Sequence, residues 1–322
     1  MILYSRSAKK GSYGTEREAE TKLALRKFLT AKKMSVLEQI LAEKRKEVAQ
    51  RKLQISEAEL RTRLNNNSVP SRSFAAALSN SPYPAIIAEV KLASPSRGII
   101  REDLTPLEIA RAYAPHASCM SVLTDEKFFK GSLDYLRNIR AKINSVPLLR
   151  KDFIIDTYQV WEAKDAGADA ILLIVAALDD NEMAKLYSES LLAELDALIE
   201  VHTADEMQRV IALMRQLKRA GAKQLPIIGV NNRNLKSFEI DLQTTVQLAK
   251  LLAAELQTLE IPRSAITLVA ESGLYTAADL QQMRSAGADA FLIGESLLKS
   301  GDPGTNLSTL IKESRRANPE VI

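Results

Sequence analysis

"DAGADAILLI" (Asp165–Ile174) returns near the C-terminus as "SAGADAFLIG" (Ser285–Gly294), and a weaker copy, "RAGAKQLPIIGV", runs from Arg219 to Val230. In each copy a helical pattern stops at a glycine, Gly167, Gly287 or Gly221, where a left-handed cap suits a residue without Cβ. An apolar run begins a few positions later, as a strand buried on both faces would. Helix, glycine cap and buried strand make the joint of a parallel α/β fold.

Further runs of this kind predict eight strands, at 85–91, 119–125, 147–153, 170–176, 196–202, 226–232, 267–273 and 290–296, each separated from the next by room for one helix. Thr105-Pro106-Leu107-Glu108 offers an N-cap, a proline at the first helical position and a capping-box glutamate. Thr203 with Glu206, and Asp156 with Gln159, repeat the signal. Eight β/α units over about 240 residues match the count and size of a TIM (β/α)8 barrel. A doubly wound open sheet is the alternative, but no GxGxxG follows the first strand.

Ahead of the barrel, "SVLEQILAEKRKEVAQRK" (35–52) reads as an amphipathic helix, and 55–80 as one or two short helices split by Asn65-Asn66-Asn67 and Pro70. This N-terminal helical extension has two placements open to it, as a plug in the barrel floor or as a lid over the mouth. Residues 34–322 are expected to form one domain, with the extension at 34–84 and the barrel at 85–322.

The composition is that of a globular chain: 322 residues, 46% hydrophobic and 26% charged. No apolar run approaches the ~18 residues of a membrane helix, and no signal-peptide core is present. The single Cys119 lies in an apolar stretch, which excludes a disulfide or a cysteine metal cluster and fits a reducing, cytoplasmic setting. The formal charge of +4 is uneven, because residues 1–33 hold nine Lys/Arg against three Glu. The rest is near neutral, which argues against a nucleic-acid surface. Residues 1–33 are expected to be a basic, disordered tail. Glu16, Glu18 and Glu20 spoil the acid-poor pattern of a transit peptide.

A set of polar residues falls in the last few positions of the strands: Glu89 and Lys91, Lys151, Glu200 and His202, Asn231 and Arg233, Glu271 and Ser272. In a TIM barrel these ends converge on the catalytic face. Glu89 and Lys91, two apart on a strand, point to one side. The loops after the last two strands, "AESGL" and "LIGES", suit a phosphate grip, with Gly273 and Gly294 admitting the anion and Arg233 adding a bidentate charge. Metal binding finds little support: His116 lies in a Pro-flanked stretch, and His202, a mouth residue, has no partner at ligand spacing. Trp161 reads as packing.

"AEVKLASPSRG", "LTDEKFFKGSLDYL", "LLRKDFIID", "DALIEVHT", "IIGVNNRNLKSFEID", "VAESGL" and "FLIGESLL" occur in this order between Ala88 and Leu298. The series resembles that of the indole-3-glycerol phosphate synthase family. The resemblance implies a TIM barrel with an N-terminal helical extension. It implies a cofactor-free step of tryptophan biosynthesis, in which 1-(2-carboxyphenylamino)-1-deoxyribulose 5-phosphate closes to indole-3-glycerol phosphate with loss of CO2 and water. The partners implied are the phosphorylated small molecule and other enzymes of that pathway, with no nucleic acid and no membrane.

By this resemblance Lys151 is the general acid that protonates the ketone oxygen, and Lys91 holds the substrate carboxylate and serves the later dehydration. A lysine with a free pKa of ~10.4 needs a clustered, desolvated setting to act near neutral pH. Glu89 would tune the lysines and Glu200 would stabilise developing anilinium charge. Glu271 and Asn231 would bind hydroxyls or assist proton transfer. Ser94, Arg233, Ser272, Gly273, Gly294 and Glu295 fall at phosphate contacts. Pro95, Phe129, Phe153, Leu172 and Leu235 would pack the ring, and Ser96 would be a loop contact.

Two positions depart from the family pattern. Leu92 stands where a basic residue is common, but should face away from Lys91. Glu295 replaces a frequent small residue, so its side chain should turn away from the phosphate. The rivals are another phosphate-binding barrel of the pathway, phosphoribosylanthranilate isomerase, and a non-catalytic scaffold barrel.

Overall fold

In the computed structural model, residues 34–66, 72–94 and 98–317 are described. The expected tail at 1–33 and the loop residues Pro95 and Ser96 lie outside them, and nothing is described of the Ser94 side chain. Eight strands appear where the sequence places them: β1 (Ala85–Val90), β2 (Cys119–Leu123), β3 (Leu148–Lys151), β4 (Ala170–Ile174), β5 (Asp196–Val201), β6 (Ile227–Asn231), β7 (Leu268–Glu271) and β8 (Ala290–Ile293). Each pairs in parallel with its sequence neighbours, and β1 closes on β8, so the sheet is a closed barrel with helices between its strands. The strands stop one to three residues before the predicted ends, which leaves Lys91, Phe153, His202 and Ser272 on the loops and puts Glu295 at the start of a short helix, Glu295–Leu298.

The repeated sequence has a physical cause. Gly167 and Gly287 take positive φ, 86° and 106°, and end their helices. The aspartates that follow, Asp169 and Asp289, accept the first backbone N–H of the preceding strand, from Leu148 and Leu268, each at 2.8 Å. Each also meets an arginine, Arg140 or Arg263, that donates to the carbonyl of the capping glycine. One motif therefore both ends a helix and anchors the bottom of a strand.

The barrel interior fills by alternate residues, as the pleat requires. Ile87, Leu149, Leu198 and Val269, from the odd strands, are buried in one apolar cluster. Two residues further along those same strands stand Glu89, Lys151, Glu200 and Glu271. A layer of four side chains from alternate strands is normal barrel construction; here the uppermost such layer is made of ionisable groups.

Of the two placements open to the N-terminal extension, the floor plug is found, but in its last short helix and not in its long one. The floor is plugged by the short helix Phe74–Ser79, N-capped by Ser73, whose Phe74 packs among the first residues of the strands. The long helix Val36–Gln54 neither plugs the floor nor lids the mouth. It lies against the outer rim, where Lys44 pairs with Asp125 and Asp152, just past the ends of β2 and β3. The second helix, Glu57–Asn66, packs beside the helix Thr157–Asp165. Trp161 packs there under the Arg61 guanidinium, 4.0 Å from the ring centroid.

The helix starts follow the sequence with one variation. Thr105 and Glu108 form the full capping box. Glu206 and Gln159 reach one residue further back than the box requires, accepting the backbone N–H of His202 and of Ile155. No helix among the described residues is long and apolar enough to cross a membrane.

Candidate active site at the barrel mouth

Lys151 is the centre of the charged layer. Its Nζ lies 2.8 Å from Glu200 Oε2 and 2.8 Å from Glu271 Oε2. Lys91, one residue past β1, folds back to place its Nζ 2.5 Å from Glu89 Oε1. Glu89, Glu200 and Glu271 are all buried. Acid and base on β1 thus form one ion pair, and it adjoins a second built on β3, β5 and β7.

Two glycines make room for these acids. At Gly294 an added Cβ would fall 2.5 Å from Glu89 Oε1, and at Gly229 it would collide with Glu271 Oε1. Gly294 was expected to admit an anion, but its side-chain space is taken by Glu89. Gly229, mid-strand in β6, carried no functional signal in the sequence.

The electrostatics correct the expectation for Lys151. Burial works to lower its pKa, but Glu200, Glu271 and Glu89 outweigh it and raise the ammonium above the ordinary lysine range. Three buried carboxylates need the positive charge more than desolvation opposes it. Lys151 is therefore a fully loaded proton donor at neutral pH. The neighbouring acids divide. Glu271 is pushed up to about 8, by burial first and by Glu200 beside it, against the pull of Lys151. Glu200, which burial alone would raise, is held well below the usual range by Lys151 and His202. Glu89 is also lowered, since Lys91 and Lys151 overcome its burial.

His202 stands behind Glu200. Its Nε2 lies 3.3 Å from Glu200 Oε1 and its Nδ1 3.3 Å from Glu206 Oε2, the first an ion-pair contact and not an aligned hydrogen bond. Burial opposes protonation, but the two glutamates push the imidazole up to about 9. It supports Glu200 and lies outside the pocket lining.

Apart from His202, the sequence-chosen residues with described side chains line the mouth pocket: Glu89, Lys91, Lys151, Glu200, Asn231 and Glu271 from the reactive set. Phe129, Phe153, Leu172, Arg233, Leu235, Ser272, Gly273, Gly294 and Glu295 surround them. Asn231 accepts the Arg233 backbone N–H at 3.0 Å. Ser272 and Gly273 both take left-handed φ, 66° and 79°, and turn the backbone sharply after β7. Phe129 and Phe153 lean together with centroids 6.0 Å apart. Leu92 does pack outward, against the outer core.

Glu295 behaves otherwise than expected. Its carboxylate lies in the mouth with Oε2 3.9 Å from Arg233 Nη2. At that separation the guanidinium attracts the carboxylate without a direct hydrogen bond.

The pocket also uses residues that the sequence reading missed. Leu123, Ile174 and Leu292 are the last inward positions of β2, β4 and β8, and counting by twos along each strand would have found them. Phe238 and Tyr275 come from loops with no such period. No cluster of metal-ligating side chains occurs among the described residues. What the arrangement offers is a charged proton donor, a second ammonium, carboxylates of unlike proton affinity, an apolar wall and a rim guanidinium.

Residues 37–310 match the model of the family described as indole-3-glycerol phosphate synthase. Indole-3-glycerol phosphate synthase of Albidiferax ferrireducens is 42% identical over 283 residues, which is 85% of this chain and 97% of the relative. That of a Polaromonas species is 42% identical over 279 residues, with the same coverage. Among solved structures, a 3-hexulose-6-phosphate synthase is similar with a TM-score of 0.51 at 15% identity, covering 72% of this chain and 99% of that one. A mandelate oxidase mutant matches with a TM-score of 0.51 at 16% identity, over 73% of each chain. At such identities these two speak for the barrel fold alone.

Proposed function

The chain belongs to the indole-3-glycerol phosphate synthase family, and from that premise we propose that it closes 1-(2-carboxyphenylamino)-1-deoxyribulose 5-phosphate to indole-3-glycerol phosphate, releasing CO2 and water. The observation that carries this reading is the single interior layer in which Lys151 bridges Glu200 and Glu271 beside the Glu89–Lys91 pair. We place it as a cytoplasmic enzyme of tryptophan biosynthesis whose catalytic domain is residues 34–322.

The reaction needs a carbon nucleophile made from an aromatic ring, so charge must be supplied at both ends. As the ring carbon bearing the carboxylate attacks the ketone, negative charge builds on the ketone oxygen and positive charge on the anilino nitrogen. Lys151 delivers its proton to that oxygen, and Glu200, ionised at all working pH, faces the nitrogen. A preorganised charge pair in a buried site costs no reorganisation at the moment of reaction. Lys91 holds the departing carboxylate. Loss of CO2 returns the bonding electrons to the ring.

The new hydroxyl then leaves as water, taking a proton from Lys91, while the proton lost from the adjacent carbon passes to the carboxylate layer. Glu271, near half-protonated around pH 8, can donate or accept and, with Asn231, holds hydroxyls. Ser94, Arg233, and the backbone at Ser272–Gly273 and Gly294–Glu295 receive the phosphate. Phe129, Phe153, Leu172 and Leu235 hold the ring, and the family resemblance adds Pro95 to that packing and Ser96 as a contact of the substrate.

Incubating the purified protein with the carboxyphenylamino-deoxyribulose phosphate tests the proposal. Indole fluorescence and CO2 should rise together. Isomerisation of the corresponding aminoaldose without CO2 would favour the isomerase reading, and neither reaction would favour a scaffold.

A further inference from the structure

Lys44, on the helix Val36–Gln54, is only 1% exposed although it sits in a Lys- and Glu-rich surface helix. Its Nζ lies 2.9 Å from Asp125 Oδ2, 2.8 Å from Asp152 Oδ1 and 2.8 Å from Glu47 Oε2. The two aspartates follow β2 and β3, and each organises the loop it begins. Asp125 Oδ1 accepts the N–H groups of Phe128 and Phe129, at 2.8 and 3.3 Å, capping the short helix that ends at Phe129. Asp152, next in the chain to Lys151, accepts the Phe153 N–H at 2.8 Å, the Thr124 hydroxyl at 2.7 Å and Arg150 Nη2 at 3.0 Å.

Without the ammonium between them the two buried carboxylates would repel, with Arg150 left as the cation of Asp152 alone. Anchoring the helix does not require this charge. Ile40, Leu41 and Val48 already bury its apolar side, and Arg51 and Lys52 pair with Glu162 and Asp156 further along. A buried ion pair is also a costly anchor, since apolar contacts of equal volume often serve as well. What the ammonium adds to the Thr124–Asp152 hydrogen bond is a charge shared by Asp125 and Asp152, which ties the loop of Phe129 to the loop that follows Lys151 and carries Phe153.

Resting on the ring-closure reading above, we propose that Lys44 is a positioning residue: by binding Asp125 and Asp152 together it holds Lys151 and the Phe129–Phe153 wall in reacting register. It touches no reacting atom and acts through the two aspartates.

The test compares steady-state kinetics of Lys44→Met, Lys44→Met/Asp125→Asn and Lys52→Met with wild type, each well below its melting temperature. Small misplacements of reacting groups cost up to about 10²-fold. Lys44→Met should therefore lose about tenfold in kcat with KM within about threefold, because the phosphate grip lies across the mouth. The double variant balances the lost charge and keeps the fold, yet should remain about fivefold slow. Lys52→Met, which removes the outer pair with Asp156 and a 6.0 Å approach to the Tyr158 ring, should keep wild-type kcat. A natively folded Lys44 variant with kcat within twofold of wild type overturns the proposal. So does failure of both Lys44 variants to fold, which would make the ammonium a fold element only, and so does an equal loss in Lys52→Met. If wild type itself forms no indole, the ring-closure reading fails instead.

Discussion

Gly229 and Glu271 share one space: the carboxylate Oε1 of Glu271, on β7, occupies the position that a side chain on β6 would fill. The register makes this unavoidable, because Gly229 pairs with Val269, and Glu271, two residues on, returns to the same inner face above it. Gly229→Ala should push the carboxylate off Lys151. The displaced atom ends a side chain with rotatable bonds, so the stability cost should be modest, at the low end of the ~1–3 kcal/mol of overpacking. Turnover should fall much further, by about tenfold or more. A melting shift of many degrees with unchanged kcat would refute this division.

Lys151→Ala removes the proposed proton donor and leaves Glu200 and Glu271 facing each other with no cation between them. Turnover should drop by about 10²–10⁴, the contribution of a positioned general acid, with a smaller change in affinity. Turnover within threefold of wild type would take Lys151 out of the mechanism. Glu271 should also bind its proton more tightly in this variant, because Lys151 is what holds its pKa down. Carboxyl infrared titration reads that change directly.

The barrel and most of the site were legible in sequence because both follow from alternation. A strand that is apolar at positions 85–88 and carries Glu89 and Lys91 must present them at one end of a closed sheet, and the same holds for Lys151, Glu200 and Glu271. Lys44 was not legible. On its helix it has the spacing of an ordinary surface Lys–Glu pair with Glu47, and only tertiary packing brings Asp125 and Asp152 to it. The direction of the Lys151 pKa was misjudged for a related reason. Sequence shows that a lysine is buried, but not how many carboxylates share its burial.

His202 gives a pH signature. Its pKa rises from 6.5 to about 9 on folding, with burial opposed and overcome by Glu200 and Glu206. A group with a raised folded pKa stabilises fully below its unfolded value, and that stabilisation is lost as pH rises through the folded value. His202→Gln should therefore be destabilised relative to wild type at pH 6, with the gap closing between pH 6.5 and about 9. Urea titrations at pH 6 and pH 10 check this. An equal gap at both values would assign His202 to packing and not to charge.

Arg233 and Glu295 make the last prediction, because they answer each other across the mouth. The guanidinium lies 3.9 Å from Glu295 Oε2, close enough to attract but too long for a hydrogen bond. A phosphate arriving at Arg233 must share the cation with this carboxylate or displace it. Charge subtraction gives opposite signs for the two residues. Arg233→Ala should weaken substrate and inorganic phosphate alike, by about tenfold or more, since charge-assisted contacts are worth ~1.5–3 kcal/mol. Glu295→Ser should tighten inorganic phosphate severalfold by removing the competing anion, and the gain should shrink in salt, as attraction near a surface does. In Arg233→Ala/Glu295→Ser the gain should vanish, because the carboxylate acts by occupying the arginine. If Glu295→Ser binds phosphate no better than wild type, the carboxylate is not a competitor, and the phosphate rests on backbone N–H groups that Glu295 leaves untouched.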